Sequence, residues 1–313
     1  MAAPSGEQYS ITHGSQTVVI TEVGASLRDY TAAGRPVLDG YGAEEPCTGG
    51  RGQSLLPWPN RVRGGRYPWQ GSTEQLDLTE PDKGGAIHGL TRWANWRLVE
   101  RSGHRARFAY VLHACPGWPF VLGCELDYSL GDAGLTVRTT ATNLGRRACP
   151  YGTGAHPYLH AGAPTIDSAR LAVPARRYLP VDGAGIPTGQ APVDGTPYDL
   201  RRARQLGDRR LDTAYTDLER DGDGRARAHL TRPDGRRVAL WLDEAYSYLQ
   251  AFTGDTLPEP DRRRTGLAVE PMTCAPDAFN SGAGLVVLGP GDTHTAAWGI
   301  EPPAEPAPEE NRP

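Results

Sequence analysis

The chain has 313 residues, with 33 basic and 37 acidic side chains and a formal charge of −4. That mild acid surplus argues against a nucleic-acid binder, whose footprint is a basic excess, and no run approaches the roughly 18 apolar residues of a membrane-spanning helix. Thirty-nine glycines and 28 prolines beside 38% hydrophobic residues indicate a substantial core broken by many turns and exclude a helical bundle.

Met1 to Glu7 carry neither a basic n-region nor an apolar h-region, so no secretory signal is expected. Thr17–Thr21 is β-branched and closed by Gly24. Trp96–Glu100 and Arg107–Leu112 flank Ser102-Gly103 and read as a hairpin, as do Glu125–Leu130 and Leu135–Asn143 around Gly131-Asp132-Ala133-Gly134. Within the last run Leu135, Val137 and Thr139 alternate with Thr136, Arg138 and Thr140, the pattern of a strand with one buried face. From Leu171 to Arg210 the chain is rich in Pro, Gly, Asp and Arg and reads as a decorated connection. Val238–Leu242, Leu249–Phe252, Leu267–Val269 and Leu285–Leu288 continue the strands, and Pro302–Pro313 is expected to be a disordered tail. Hairpins without βαβ alternation predict an all-β fold, a large antiparallel sandwich or barrel, in a single domain over 1–301. Five scattered cysteines with no C-x-x-C spacing predict reduced thiols and a cytoplasmic protein.

Four segments differ from ordinary strand or turn text: Leu55–Tyr67, Ala86–Trp93, Tyr151–His160 and Leu267–Asn280. His156 precedes Pro157 and is pushed toward an extended backbone. An H-x-x-x-H metal pair with His160 would need a helix that Pro157 and the nearby glycines oppose; no metal is expected. Glu270 ends an apolar run just before Pro271, and apolar surroundings raise a carboxyl pKa toward the range of a general base. A glutamate and a histidine together supply two proton-transfer groups without a cofactor. Asp221-Gly222-Asp223-Gly224 lacks the closing glutamate of a calcium loop, since Arg232 stands there, and reads as a turn. The arginine-rich stretches 201–204 and 262–264 read as solvated loops, one of which could flank an anionic ligand. Trp58, Trp93 and Trp96, near the first two segments, could stack on a sugar face or belong to the core, and core is the favoured reading for each.

The ordered set N-R-V at Asn60–Val62, I-H-G at Ile87–Gly89, A-H-P-Y at Ala155–Tyr158, L-D-T-A-Y-T-D-L at Leu211–Leu218 and V-E-P with P-D-A-F-N between Val269 and Asn280 resembles the aldose 1-epimerase (galactose mutarotase) family. It is most similar to a bacterial subgroup with A-H-P-Y and I-H-G-L-x-R-W. The resemblance runs from about Val18 to about Trp298 and implies a galactose-mutarotase-like supersandwich with a sugar cleft. It implies a catalytic acid at His156, a catalytic base at Glu270, and sugar-binding groups at Arg61, His88 and Asp212. Leu90, Ala155 and Met272 depart from residues common in the family, leaving the acid–base pair intact and the sugar specificity open. The implied reaction interconverts the anomers of a free hexose such as glucose or galactose, with a small sugar as partner and no cofactor, in a monomer or homodimer. Two alternatives stand beside it: a non-catalytic carbohydrate-binding module on the same scaffold, and a mutarotase for a 6-phospho or 6-sulfo sugar with arginines as anion clamps.

Overall fold

Alternation of apolar and polar side chains builds the molecule. In Leu122–Gly131 the residues Leu122, Cys124, Leu126, Tyr128 and Leu130 are buried and their neighbours are not. Gly134–Asn143 repeats the pattern and pairs with it antiparallel, Gly131 opposite Gly134 at the turn. In this computed structural model, which describes residues 3–304, the pair forms the third and fourth strands of a nine-stranded antiparallel sheet. An eight-stranded sheet lies against it: side chains from both, among them Leu126, Val137 and Trp298 on one and Tyr215, Leu249 and Val269 on the other, belong to one hydrophobic core. A four-stranded sheet from Gln8 to Pro36 leans on the hairpin turns, with Gln16 Nε2 donating to the Gly131 carbonyl at 2.9 Å. Among the described residues the only α-helix is the four-residue Ala278–Ser281. The expected all-β antiparallel sandwich is therefore what forms.

Two expectations need correction. The stretch from Leu171 to Arg210 is more than a decorated connection. Arg170–Ala172 and Arg204–Gln205 end the nine-stranded sheet, and Ala175–Leu179 and Ala191–Pro192 end the eight-stranded one. Edge strands use only part of their backbone groups in the ladder and so tolerate Arg and Pro, which hides them in the sequence. The final strand, Thr293–Ala304, stays paired as far as Ala304 opposite Arg237, so residues 302–304 are strand rather than tail. Pro302 and Pro303 lack an N–H to give the ladder, and the register shifts between Arg237 and Ala239 to accommodate them. The remaining tail residues, 305–313, lie outside the described residues.

Gly266–Met272 runs through the interior of the eight-stranded sheet. All seven of its residues are buried, as in a strand covered on both faces, and Glu270 is its one charged member. If the shared core carries the stability, Leu126→Ala, fully buried, should cost about 2–5 kcal/mol. Arg138→Ala, on the exposed face of the neighbouring strand, should change stability by less than about 0.5 kcal/mol. Urea denaturation measures both.

Candidate active site

Gly266–Met272 is flanked on one side by Tyr248–Phe252, with Gln250 directly opposite Glu270. On the other side it meets two short pieces, Gly154–Ala155 and Tyr158–His160. His156 sits in the gap between those pieces, where Pro157 cannot donate to a ladder. The break turns the imidazole toward the adjacent strand: Nε2 of His156 is 3.4 Å from Oε1 of Glu270, with only 6% and 3% of the two side chains exposed. Close approach of the strands depends on Gly154. A Cβ there would lie 2.8 Å from the Pro271 carbonyl oxygen and 2.8 Å from Cβ of Pro59.

No protein hydrogen bond fixes the His156 ring at Nδ1; packing does. Tyr158 stacks on it, centroids 5.0 Å apart and planes 16° apart, and His88 meets it edge-on at 5.3 Å. Arg51, paired with Asp39, lies over the far face of the stack, 4.5 Å from the Tyr158 centroid.

His88 and Asn60 both take left-handed backbone conformations, φ 64° and 56°, which non-glycine residues adopt only when neighbours hold them. Here they hold each other. The His88 N–H donates to the Asn60 carbonyl at 2.9 Å, and the Asn60 N–H donates to Nδ1 of His88 at 3.2 Å. Because Nδ1 accepts, the neutral ring carries its proton on Nε2. Arg61 follows, 8% exposed, its guanidinium clamped by Glu80 through Nε (2.5 Å) and Nη2 (2.8 Å). Asp212 stands exposed at the rim, and Gln250 Nε2 donates to its Oδ1 at 2.5 Å.

Burial sets the electrostatics. It drives the Glu270 carboxyl well above the usual range, reinforced by Asp212 and moderated by Arg61. It lowers His156 to about 3, with the cations Arg92 and Arg51 acting the same way. Burial also holds His88 well below an ordinary histidine, helped by His156 and the arginines Arg92 and Arg61. Burial therefore pushes any proton on the pair toward the carboxyl and away from the imidazole, and it favours His88 as a neutral donor. Arg61, His88, His156, Asp212 and Glu270, all predicted from sequence, line one cavity of about 510 Å³. Oε2 of Glu270 and Oε1 of Gln250 are buried there without a protein partner, which marks a site completed by another molecule.

The aldose 1-epimerase family model matches residues 7–301. The chain belongs to the aldose 1-epimerase family. It is 32% identical over 298 residues to the uncharacterized protein YihR of Escherichia coli K12, covering 95% of this chain and 93% of that one. It is 28% identical over 284 residues to the aldose 1-epimerase of the same organism, covering 82% and 78%. The GalM/aldose epimerase homologue of C. elegans superposes with a TM-score of 0.83 at 17% identity, over 95% of this chain and 99% of that one, which speaks for the fold.

His88, His156 and Glu270 offer three possible metal donors within 4.8 Å of one another. The tautomer argues against that use. A ligating His88 would need a lone pair at Nε2, and the proton displaced to Nδ1 would face the Asn60 N–H. Several features of this epimerase site are not legible in the sequence. Asn60 shapes His88, Glu80 clamps Arg61, and Gln250 anchors Asp212. Gln250 does leave a signal, as the one polar amide in the run Tyr248–Phe252. Trp58 and Trp96 are core, but Trp93 is 61% exposed at the cavity wall, a correction to the expectation that it is buried. The clusters 201–204 and 262–264 do not line the cavity. Arg201 is taken by Asp194 and Asp199, and Arg264 by Asp167 and Asp255. Asp221 and Asp223 are bridged by Arg227, consistent with a turn.

Gly154→Ala should force the His156 and Glu270 strands apart. The expected cost is about 1–3 kcal/mol of stability, with a fall in turnover larger than unfolding explains. Denaturant midpoints and rates on the same preparation separate the two effects.

Proposed function

We propose that this protein interconverts the α and β anomers of a free aldohexose of the glucose or galactose type by acid–base ring opening. The observation that carries the reading is the buried imidazole 3.4 Å from a buried carboxyl in a sugar-sized cavity. Glu270, as carboxylate, takes the proton of the C1 hydroxyl. The C1–O5 bond breaks, its electron pair goes to O5, and O5 takes a proton from the imidazolium of His156. C1 becomes an aldehyde carbon, rotation about C1–C2 presents its other face, and ring closure reverses both transfers. No net proton enters or leaves.

The burial shifts favour this scheme. A carboxyl pushed up is a stronger base once ionised, and an imidazole pushed down is a stronger acid once protonated. Ring opening thus moves the pair toward the neutral form that its surroundings prefer. Arg61 and His88, a neutral Nε2–H donor, would hold oxygens near C1 and O5, and Asp212 would accept from ring hydroxyls. A binding module would need Arg61 and Asp212 but gains nothing from burying two ionisable groups against each other, an arrangement with a large desolvation cost. A cytoplasmic setting belongs to the same reading: the five cysteines are free, four of them buried, as in a reducing compartment.

His156→Ala and Glu270→Gln should each slow polarimetric anomer exchange by about 10²–10⁴-fold; near-wild-type rates in both would overturn the assignment. The pH profile gives a second check. Activity needs one proton on the pair. Below the lowered His156 value of about 3 a second proton binds and the base is lost. Above the raised Glu270 value the single proton leaves and the acid is lost. kcat/KM should therefore show a plateau that is lost on the acid side near the His156 value of about 3 and on the high-pH side only above the range of an ordinary carboxylate. A decline centred on the ordinary carboxylate range would contradict the buried pair.

A further inference from the structure

Arg61 reaches the cavity from a two-stranded ladder in which Arg61–Arg63 pairs with Gly85–Ile87, Arg61 opposite Ile87. The chain entering that ladder is tied into a small loop. The backbones of Glu80 and Gly85 bond each way, N–H to carbonyl, at 3.0 and 3.2 Å, and the Thr79 hydroxyl accepts from the Ile87 N–H at 2.9 Å. Pro81 starts a single 3-10 turn, which Gly84 ends at φ 61°. The loop thereby sets the Glu80 carboxylate against the guanidinium that rises from the partner strand. With Nε and Nη2 both taken by Glu80, Nη1 has no bond among the described residues, and a Cβ on Gly185 would come within 2.9 Å of it. The guanidinium is wedged between a carboxylate and a glycine.

Other groups compete for Arg61. Burial opposes its charge, the hydrogen bonds to Glu80 sustain it, and Asp212 and Glu270 attract it as well. All three acidic side chains line the same cavity. The titratable and charged groups around Glu270 are His156 and Tyr158 from the strand pieces beside it, His88 and Arg61 from the small ladder, and Asp212 beyond Gln250. Of these Arg61 is the one permanent cation. A guanidinium released by Glu80 would find a second carboxylate of matching shape at Glu270. That pair would hold the base ionised, and a carboxylate stabilised by a bonded cation is a weak base.

We propose that Glu80 is a positioning residue that holds the Arg61 guanidinium back from Glu270, so that the cation can orient a sugar oxygen without ion-pairing to the base. The proposal rests on the mutarotase reading, because that reading makes Glu270 the base. It gives the loop at 79–85 a task in the chemistry although Glu80 itself transfers no proton. The sign of the effect follows from charge. Without the Glu80 anion, Arg61 acts more strongly on Glu270, the carboxylate form is favoured, and Glu270 ionises at lower pH. The effect requires Arg61, since a chain without that guanidinium has no cation to release.

Two measurements on the full chain test this: direct titration of Glu270 by 13C NMR of protein labelled at the glutamate carboxyl carbon, with Glu270→Gln to assign the signal, and polarimetric exchange of glucose and galactose. Glu80→Gln should make Glu270 ionise about one pH unit or more below the wild type. It should also lower kcat/KM by about 10-fold, the scale of a lost charge-assisted hydrogen bond, with the high-pH limb displaced in the same direction. Glu80→Ala should give the same result from a second side chain, and a loop with only a structural task would move the denaturant midpoint without moving the titration. In an Arg61→Ala background, Glu80→Gln should leave the titration nearly in place and change kcat/KM by less than about two-fold, because the two residues act as a unit. An unmoved titration in both Glu80 variants, or a displacement as large without Arg61 as with it, overturns the proposal, while exchange of either sugar by the wild type leaves the mutarotase reading standing. Failure of the wild type to exchange either sugar above buffer removes that reading and the proposal together.

Discussion

The close approach of an imidazole and a carboxyl under nearly complete burial is the constraint on which the rest of the molecule depends. The two groups are separated by more than a hundred residues in sequence and by 3.4 Å in space. Here a sheet supplies that proximity, because register along a ladder is set in whole residues. Gly154 opposite Met272 and Gln250 opposite Glu270 lock the carboxyl between its neighbours. The Pro157 interruption then lets His156 leave the ladder and lean over it. The large core beneath gives this arrangement its rigidity: the carboxyl strand is buried on both faces, so it cannot relax toward water and relieve the desolvation that perturbs both groups. Fold and proton chemistry are linked through that lack of freedom.

Parts of this are legible in the chain and parts are not, for physical reasons. The strand Gly134–Asn143 announces itself because one face meets core and the other water, and alternation records that difference directly. The edge strands at Ala191–Pro192 and Arg204–Gln205 leave no such record, since two residues of ladder demand little of their side chains. Residue chemistry and the family resemblance both point to His156 and Glu270, but their separation is a property of register and cannot be read from either alone. Trp93 misleads because a tryptophan beside an apolar run looks the same whether it faces the core or a cleft. Gln250 and Asn60 act through partners distant in sequence, so their roles appear only when the strands are assembled.

The arginines illustrate the same limit most sharply. Sequence draws the eye to clusters, at 201–204 and 262–264, yet clustered arginines on loops are readily neutralised by the acids that accompany them, as Arg201 and Arg264 are here. A single arginine within a motif attracts less notice, although its surroundings can leave it unmatched. What distinguishes Arg92 from Arg51 and Arg61 is the absence of a carboxylate partner among the described residues.

That distinction connects binding to chemistry. Glu80 and Asp39 sit against Arg61 and Arg51, yet both cations still act on the pair, Arg61 at Glu270 and Arg51 at His156. Arg92, with no carboxylate partner among the described residues, acts on His156 in the same direction as Arg51. In a cleft of low dielectric such a charge cannot be neutral in effect.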